Sequence, residues 1–234
     1  MHMSNETLTG KILYNKRMSE DWLEVMEDAP AFDRFDLKAI SALVIAPCEL
    51  GTLIVREEER SFCESNPLTT LREFYRTHRL FDYSMTRRCF SLMDGFSSYK
   101  APFVNWHYAL CPLEQPENGT WVNPLAVYEV QTVQGVCFAE LTNGLVLELP
   151  IQRRSFLEQS EKALYTLGYL RREYSLTLKY DGVPLDYLSL PNTPFLNTLR
   201  ERPLLQGWTT KRGVFQQRYL SEVLQHKENR LAIK

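Results

Sequence analysis

Two groups of residues in this sequence are of types that could support catalysis. His107 and Cys111 lie four residues apart, and a histidine close to a cysteine can act as the base for a thiol nucleophile. Their segment is rich in proline and is not a helix start, which is a poor setting for such a pair. Glu129, Glu140 and Glu148 fall in neighbouring β-rich runs and could form an acid–base pair. Carboxylates on the solvent face of a sheet are the simpler interpretation, so neither group positively indicates an enzyme.

The short motifs of common catalytic and nucleotide-binding sites are absent from the sequence. It contains no GxxxxGK[ST], GxGxxG, GxSxG or HExxH. The 4 histidines are scattered, so their spacing does not suggest a metal site. The 5 cysteines are odd in number, widely spread and without a CxxC pair, which favours reduced thiols over a disulfide framework. We therefore expect no enzymatic activity, no metal and no cofactor.

Cations occur at places where local structure does not require them. Arg153 and Arg154 come just before a predicted helix start at Ser155, where the positive end of the helix dipole disfavours positive charge. Their presence suggests an anionic partner, and the alternative is a plain surface loop. Arg171 and Arg172 lie at the other end of the same predicted helix, where dipole complementarity explains them without a ligand.

The overall charge is mildly negative and unevenly distributed. The formal net charge is −2, which by itself argues against a polyanionic partner. Residues 1–64 carry 7 Lys and Arg against 13 Asp and Glu, whereas residues 65–234 carry 20 against 16. A positive body with an acidic N-terminal section permits nucleic-acid binding without requiring it.

The elements that would position these residues begin with a hairpin and a long helix. Asn143-Gly144 lies between two apolar runs and predicts a two-residue type I′ turn, in which Glu148 would lie opposite Ala139. Ser155 and Glu158 have capping-box spacing, and apolar residues at helical spacing follow them. We therefore predict a long packed helix over residues 155–174.

A second amphipathic helix is predicted over residues 68–93. The segment Ser65–Pro67 has the pattern of a helix start, and apolar residues then recur on one face. Four arginines lie on the opposite face: Arg72, Arg76, Arg79 and Arg87. They form either the solvated side of an ordinary amphipathic helix or a guanidinium stripe that contacts phosphates or enters a narrow minor groove.

The remaining patterns complete the expected architecture. Runs at 37–46 and 50–55 predict a hairpin, and residues 176–180 predict a last strand. The predicted fold class is α+β, an antiparallel or mixed β-sheet with the two helices above. We expect three parts: an acidic, loosely attached N-terminal extension (1–35), a core (36–182) and a proline-interrupted, partly helical C-terminal tail (183–234). No apolar run is long enough to span a membrane and no signal sequence is apparent, so we expect a cytoplasmic protein.

Several of these segments, in the same order, resemble the bacterial competence transcription factor (ComK) family. The similar segments span residues 36–175. Those towards the C-terminal end are Thr142-Asn143-Gly144, Glu148-Leu149-Pro150-Ile151, Ser155-Phe156 and Leu170-Arg171. Those upstream are Arg87-Arg88-Cys89, Gly95, Ser97-Ser98-Tyr99, Pro112, Pro116 and Trp121-Val122.

This resemblance implies a sequence-specific DNA-binding activator of genes for DNA uptake. It further implies binding to paired A/T-rich boxes through the minor groove, assembly into homodimers or larger homo-oligomers, and delivery to a Clp-type protease by an adaptor. Arginines suit this mode, because narrow A-tract minor grooves carry enhanced negative potential. The candidate DNA-binding residues are Arg87, Arg88, Lys100, Arg153, Arg154, Arg171, Arg172 and Arg79.

The sequence also departs from the family pattern. An apparent insertion covers residues 58–76, and the tail after residue 182 is longer and poorly matched. Together with the net charge of −2, these departures keep a second interpretation open. In that interpretation the chain is a regulatory protein-interaction module that has kept the fold and lost its affinity for DNA.

Overall fold

The computed structural model describes residues 8–78, 80–93, 95–97, 99–175 and 182–232. Within these ranges the chain forms the strands β1 (Ile12–Leu13), β2 (Ala42–Ile45), β3 (Thr52–Val55), β4 (Arg60–Cys63), β5 (Phe103–Val104), β6 (Ala109–Pro112), β7 (Trp121–Val122), β8 (Val127–Val133), β9 (Val136–Leu141) and β10 (Val146–Leu149). The α-helices of the same ranges are α1 (Glu20–Met26), α2 (Pro67–Thr77), α3 (Tyr83–Ser91), α4 (Arg153–Tyr174), α5 (Pro194–Arg200) and α6 (Val214–Ala232).

The strands are arranged in two sheets. The first has the spatial order β1-β10-β9-β8, in which β1 runs parallel to β10 and the other neighbours are antiparallel. The second has the order β4-β3-β2-β7-β6-β5 and is antiparallel throughout. Its β2–β3 pair is the hairpin predicted from residues 37–55. Helices combine with mixed and antiparallel sheets, and the predicted α+β class is confirmed.

Helix α4 is the long packed helix of the prediction and contacts both sheets. It packs against β5 and β6 of the second sheet and against β8 of the first. Phe156, Leu164 and Leu167 are fully buried along it and belong to one continuous apolar core that also contains Leu53 and Ala139 from the two sheets.

The start of α4 differs from the predicted one. The helix begins at Arg153, because the Phe156 amide donates to the Gln152 carbonyl at 3.0 Å and adds residues before Ser155. Gln152 is the N-cap residue, and its side chain makes no capping hydrogen bond. Ser155 lies exposed in the first turn, so the predicted capping box with Glu158 does not form.

The predicted helix over residues 68–93 is two helices, α2 and α3. The Asp82 carboxylate accepts from the Met85 amide at 3.0 Å and caps a new helix there. Phe81 leaves the helical line and packs edge-on against Trp106 and Tyr219, with ring centroids 5.5 and 5.0 Å away. Tertiary packing of Phe81 thus overrides a helical periodicity that continues through it.

The turn at Asn143-Gly144 is a three-residue loop and not the predicted two-residue type I′ turn. The Asn143 side chain accepts from the Leu145 amide at 3.1 Å, and only Gly144 takes a positive φ, of 80°. The extra residue shifts the register by one, so Glu148 lies opposite Phe138 instead of Ala139.

Both terminal segments contribute to the core. Strand β1 pairs with β10, and Trp22 and Val25 of α1 are buried in the main cluster. The predicted N-terminal extension is therefore packed into the fold through β1 and α1, and it is not loosely attached as predicted. The tail contributes Phe195 and Phe215 to the same cluster.

Two further expectations concern the limits of the fold. The strand predicted at 176–180 lies outside the described residues. Among the helices of the described ranges, none is long and apolar enough to cross a bilayer.

Candidate nucleic-acid interface

The first turn of α4 combines uncapped backbone amides with two exposed arginines. The Gln152 side chain leaves the first amides of the helix without a capping acceptor. Arg153 makes no hydrogen bond or ion pair with the described part of the chain. Arg154 contacts Glu158 at 3.3 Å, but its side chain remains 89% exposed, so this pair contributes little to stability. Two cations at the positive end of a helix dipole are unfavourable by themselves and become favourable beside an anion.

A cavity of about 630 Å³ adjoins this helix start. Gln152 lines it, together with Lys16 and Arg17, two exposed cations from the segment that follows β1. The Arg17 guanidinium lies 4.0 Å from the centre of the Tyr14 ring, which holds it at the rim. Two acids line the cavity as well, Glu114 and Glu148.

Arg153 and Arg154 directly follow Gln152, which lines the cavity, so they adjoin it from the helix side. Burial raises the pKa of the Cys137 thiol, which lines the cavity, and the charge of Arg153 opposes that rise. We call the four cations Lys16, Arg17, Arg153 and Arg154 the N-terminal basic surface of α4. Sequence reasoning missed Lys16 and Arg17, because only the parallel pairing of β1 with β10 brings residues so distant in sequence to this helix start.

Arg87 and Arg88 lie on α3 and differ in their environment. The Arg88 Nε atom contacts the Glu222 carboxylate of α6 at 2.6 Å, and both side chains are partly exposed. Arg87 is half-buried beside Tyr83, where burial raises the pKa of the phenol and the positive charge of Arg87 lowers it in part. Arg88 therefore has an internal partner that a phosphate would have to replace.

Lys100 and the two arginines at the end of α4 donate to backbone carbonyls. Lys100 Nζ donates to the Leu113 carbonyl at 2.7 Å. Arg171 donates to the carbonyls of Trp106, Tyr187 and His107 at 2.8, 3.1 and 2.9 Å. These bonds fasten loops to the helix.

Arg172 is buried and lies between α4 and the C-terminal tail. It donates to the Thr210 carbonyl at 2.7 Å, and its guanidinium lies 3.7 Å from the centre of the Trp208 ring. It also lies 4.0 Å from the carboxylate of Glu173.

The structure thus brings some of the predicted DNA-binding residues together and separates others. Arg153 and Arg154 join Lys16 and Arg17 at one end of α4. Arg171 lies about 27 Å further along the helix axis, at ~1.5 Å rise per residue. Arg88 lies at the contact between α3 and α6. Phe215 of α6 packs on Tyr169, which is near the C-terminal end of α4. Arg79 lies outside the described residues.

The candidate pair His107 and Cys111 does not form in the structure, whereas two of the three candidate carboxylates are cross-strand neighbours. Cys111 is fully buried and its thiol donates to the Val122 carbonyl at 3.3 Å, whereas His107 is exposed. Burial raises the pKa of Cys111 to about 12, so the thiol stays protonated near neutral pH. Glu129 and Glu140 face each other across β8 and β9. The described ranges contain no cluster of three or more potential metal ligands.

Comparison with known proteins finds no family model, no curated protein and no solved structure that matches this chain.

Proposed function

We propose that this chain is a DNA-binding transcriptional activator of the type found in the competence transcription factor family, acting on A/T-rich boxes through the minor groove. The observation that carries the proposal is the N-terminal basic surface of α4. Four cations and a row of uncapped amides meet there, and within the described chain only Arg154 has an acidic partner, at a highly exposed position. Among the described residues, Glu114 and Glu148 line the adjoining cavity but form no ion pair with Lys16, Arg17 or Arg153, and a phosphate backbone supplies an anionic partner for these three cations.

The basic surface is better suited to contacting a minor groove than to reading base edges from a helix in the major groove. The basic surface offers long, flexible cations beside a cavity, two from the segment after β1 and two from the first turn of α4. Narrow A/T-rich grooves concentrate negative potential, which attracts arginines independently of base contacts. Arg87, Arg88 and Lys100 serve as secondary contacts in this proposal, because Arg88 and Lys100 must first release their internal partners.

The resemblance adds two partners to the proposal. A second copy of the chain is expected in the DNA-bound form, as a homodimer or a larger homo-oligomer. The tail segment Asp186–Pro191 resembles the aromatic–leucine–proline segment through which family members meet the adaptor of a Clp-type protease. Both partners, like a cytoplasmic location, remain proposals.

A titration of labelled duplexes by fluorescence polarisation tests the DNA-binding function. One duplex carries two A/T-rich boxes and the other replaces them with G/C sequence. Both are measured at about 50 and about 200 mM salt. Tighter binding to the A/T duplex, with affinity falling steeply as salt rises, supports the proposal. Equal, weak and salt-independent binding to both duplexes contradicts it.

One observation favours a second candidate, a regulatory protein-interaction module without affinity for DNA. Arg88, Lys100, Arg171 and Arg172 all donate to acceptors within the chain. With a net charge of −2, few cations are then left for phosphates. In this case the chain binds neither duplex and instead binds another regulatory protein.

A further inference from the structure

The end of the β8–β9 hairpin is an exposed ribbon with apolar residues at its tip. Every residue from 131 to 136 is exposed. Val133 and Val136 pair directly across the turn, and their side chains are 53% and 38% exposed. Gln134 and Gly135 both have positive φ, of 51° and 83°, which is the conformation of a tight two-residue hairpin turn. The tip is therefore regular and well defined, yet it presents two valines to solvent.

The two valines point to the same face of the ribbon as Phe138. Side chains alternate between faces along a strand, and Cys137 on the opposite face is buried. Val136 and Phe138 line the cavity that Lys16 and Arg17 also line. The apolar tip thus continues directly into the N-terminal basic surface of α4.

Charge limits which part of the ribbon can approach a polyanion. Glu129 and Glu140 face each other across the strands, about 13 Å back from Val136 at ~3.3 Å per residue. Glu148 and Glu114 are nearer and line the cavity beside Lys16 and Arg17, and the Glu148 carboxylate accepts from the Asn15 amide at 3.2 Å. Within the described residues, the last pairs of this ribbon place the apolar side chains of Val136 and Phe138 at the cavity that Lys16 and Arg17 also line.

We propose that the tip, residues 131–136, inserts into the minor groove of duplex DNA while the basic surface contacts the flanking phosphates. This inference rests on the proposed function and assigns the element that enters the groove. Proteins that bind the minor groove commonly place apolar wedges between base steps and bend the duplex. The steps of A/T-rich DNA that unstack most easily lower the cost of this deformation. Val133 and Val136 are the wedge in this arrangement.

The test compares the parent chain with the double variant Val133→Ser with Val136→Ser. A duplex with an A/T-rich box and a fluorophore at each end reports bending by energy transfer, and polarisation reports affinity. We expect the variant to lose most of the bend and roughly tenfold in affinity. The salt dependence should stay the same, because no phosphate contact is removed.

Two control variants separate the wedge from general effects. Leu220→Ser with Leu224→Ser removes apolar surface of similar exposure from α6 and should change neither bend nor affinity. Val133→Leu with Val136→Leu keeps the tip apolar and should retain the bend. If the serine variant unfolds, Gln134→Glu, a single change at the exposed tip that places a negative charge between the two valines, takes its place and should lose most of the bend.

The outcomes distinguish this inference from the proposed function. If the parent binds the A/T duplex and the serine variant bends it equally, the inference is wrong and the proposed function stands. If the parent binds no duplex, both are wrong. If the serine variant changes only the sedimentation of the free protein, the tip is a surface for a second copy of the chain, and the inference is overturned.

Discussion

The two ends of α4 carry the same dipeptide, Arg-Arg, in opposite environments. Arg153 and Arg154 are exposed and lie where the helix dipole is positive, and of the two only Arg154 has a carboxylate partner in the described chain, the partly exposed Glu158. Arg171 and Arg172 lie where the dipole is negative and donate to four backbone carbonyls. The helix dipole disfavours the first pair, which is available to bind an anion. The second pair is favoured by the dipole, and its hydrogen bonds stabilise the fold. Both pairs are Arg-Arg, so residue type alone does not distinguish the two roles. The groups that each arginine contacts do distinguish them.

The largest expected effect comes from the C-terminal pair. Arg172→Ala removes a buried guanidinium that packs on Trp208 and bonds the Thr210 carbonyl, and it leaves the buried carboxylate of Glu173 without its nearby cation. We expect the free energy of unfolding to fall by about 3 kcal/mol. Urea denaturation followed by fluorescence measures this change.

The matched control for this substitution is Arg153→Ala at the other end of the helix. It should leave stability unchanged or raise it by about 0.5 kcal/mol, because it removes a cation from the positive end of the dipole. Equal losses of unfolding free energy for Arg172→Ala and Arg153→Ala would show that the arginines at the two ends of α4 do not differ in their contribution to stability.

The N-terminal pair should have its main effect on DNA. Arg153→Ala with Arg154→Ala removes two phosphate contacts and should lower the slope of log affinity against log salt by about 1.8, with a loss of roughly tenfold or more at low salt. Polarisation titrations at several salt concentrations give this slope.

A control with the same change in charge uses two exposed arginines of α2, Arg72→Ala with Arg76→Ala. Their helix packs on a different apolar cluster from α4, so the variant should leave the slope near that of the parent. A slope that falls equally in both double variants would indicate that net charge, and not this surface, governs binding.

The α3 pair is intermediate between the two ends of α4. Arg87→Ala with Arg88→Ala removes the partly exposed contact with Glu222, which is worth less than about 1 kcal/mol, so the thermal midpoint should hardly move. We expect a decrease in DNA affinity smaller than that of the Arg153 and Arg154 variant, since Arg88 already has a partner. Unchanged affinity would remove Arg87 and Arg88 from the interface.

The last effect concerns the pH dependence of the packing around the C-terminal pair. Burial raises the pKa of Tyr169 to about 12, and its hydroxyl donates to the Lys211 carbonyl at 3.1 Å. The unfolded chain ionises this phenol near its ordinary pKa of about 10, before the folded chain does. Its contribution to stability is therefore complete below about pH 10 and is lost as pH rises towards about 12.

Tyr169→Phe should flatten the fall in stability across that range of pH and cost about 1 kcal/mol at neutral pH through the lost hydrogen bond. Denaturation midpoints measured at several pH values for parent and variant give both quantities. A parallel fall in both proteins would assign the pH dependence to other groups.

Several elements were predicted correctly because they depend on patterns within short segments of the chain. The apolar spacing after Phe156 predicted α4, since a helix must bury one face, and the alternating runs around Pro47 predicted the β2–β3 hairpin. Where sequence reasoning was wrong, a distant contact had changed a local choice. The Asn143 side chain, which donates to the Arg56 carbonyl at 3.1 Å, lies in the lengthened turn, and Phe81 joined an aromatic cluster and divided a helix.

By itself the sequence determined the α+β class, the long helix and the presence of arginines at both of its ends, because these follow from periodicity and composition along the chain. Only the tertiary structure decided which arginines remain available. The parallel β1–β10 pair places Lys16 and Arg17 beside the start of α4, and the folding back of the tail occupies Arg172. Pairings of this kind depend on complementary surfaces formed by segments far apart in the chain, and no local pattern encodes them.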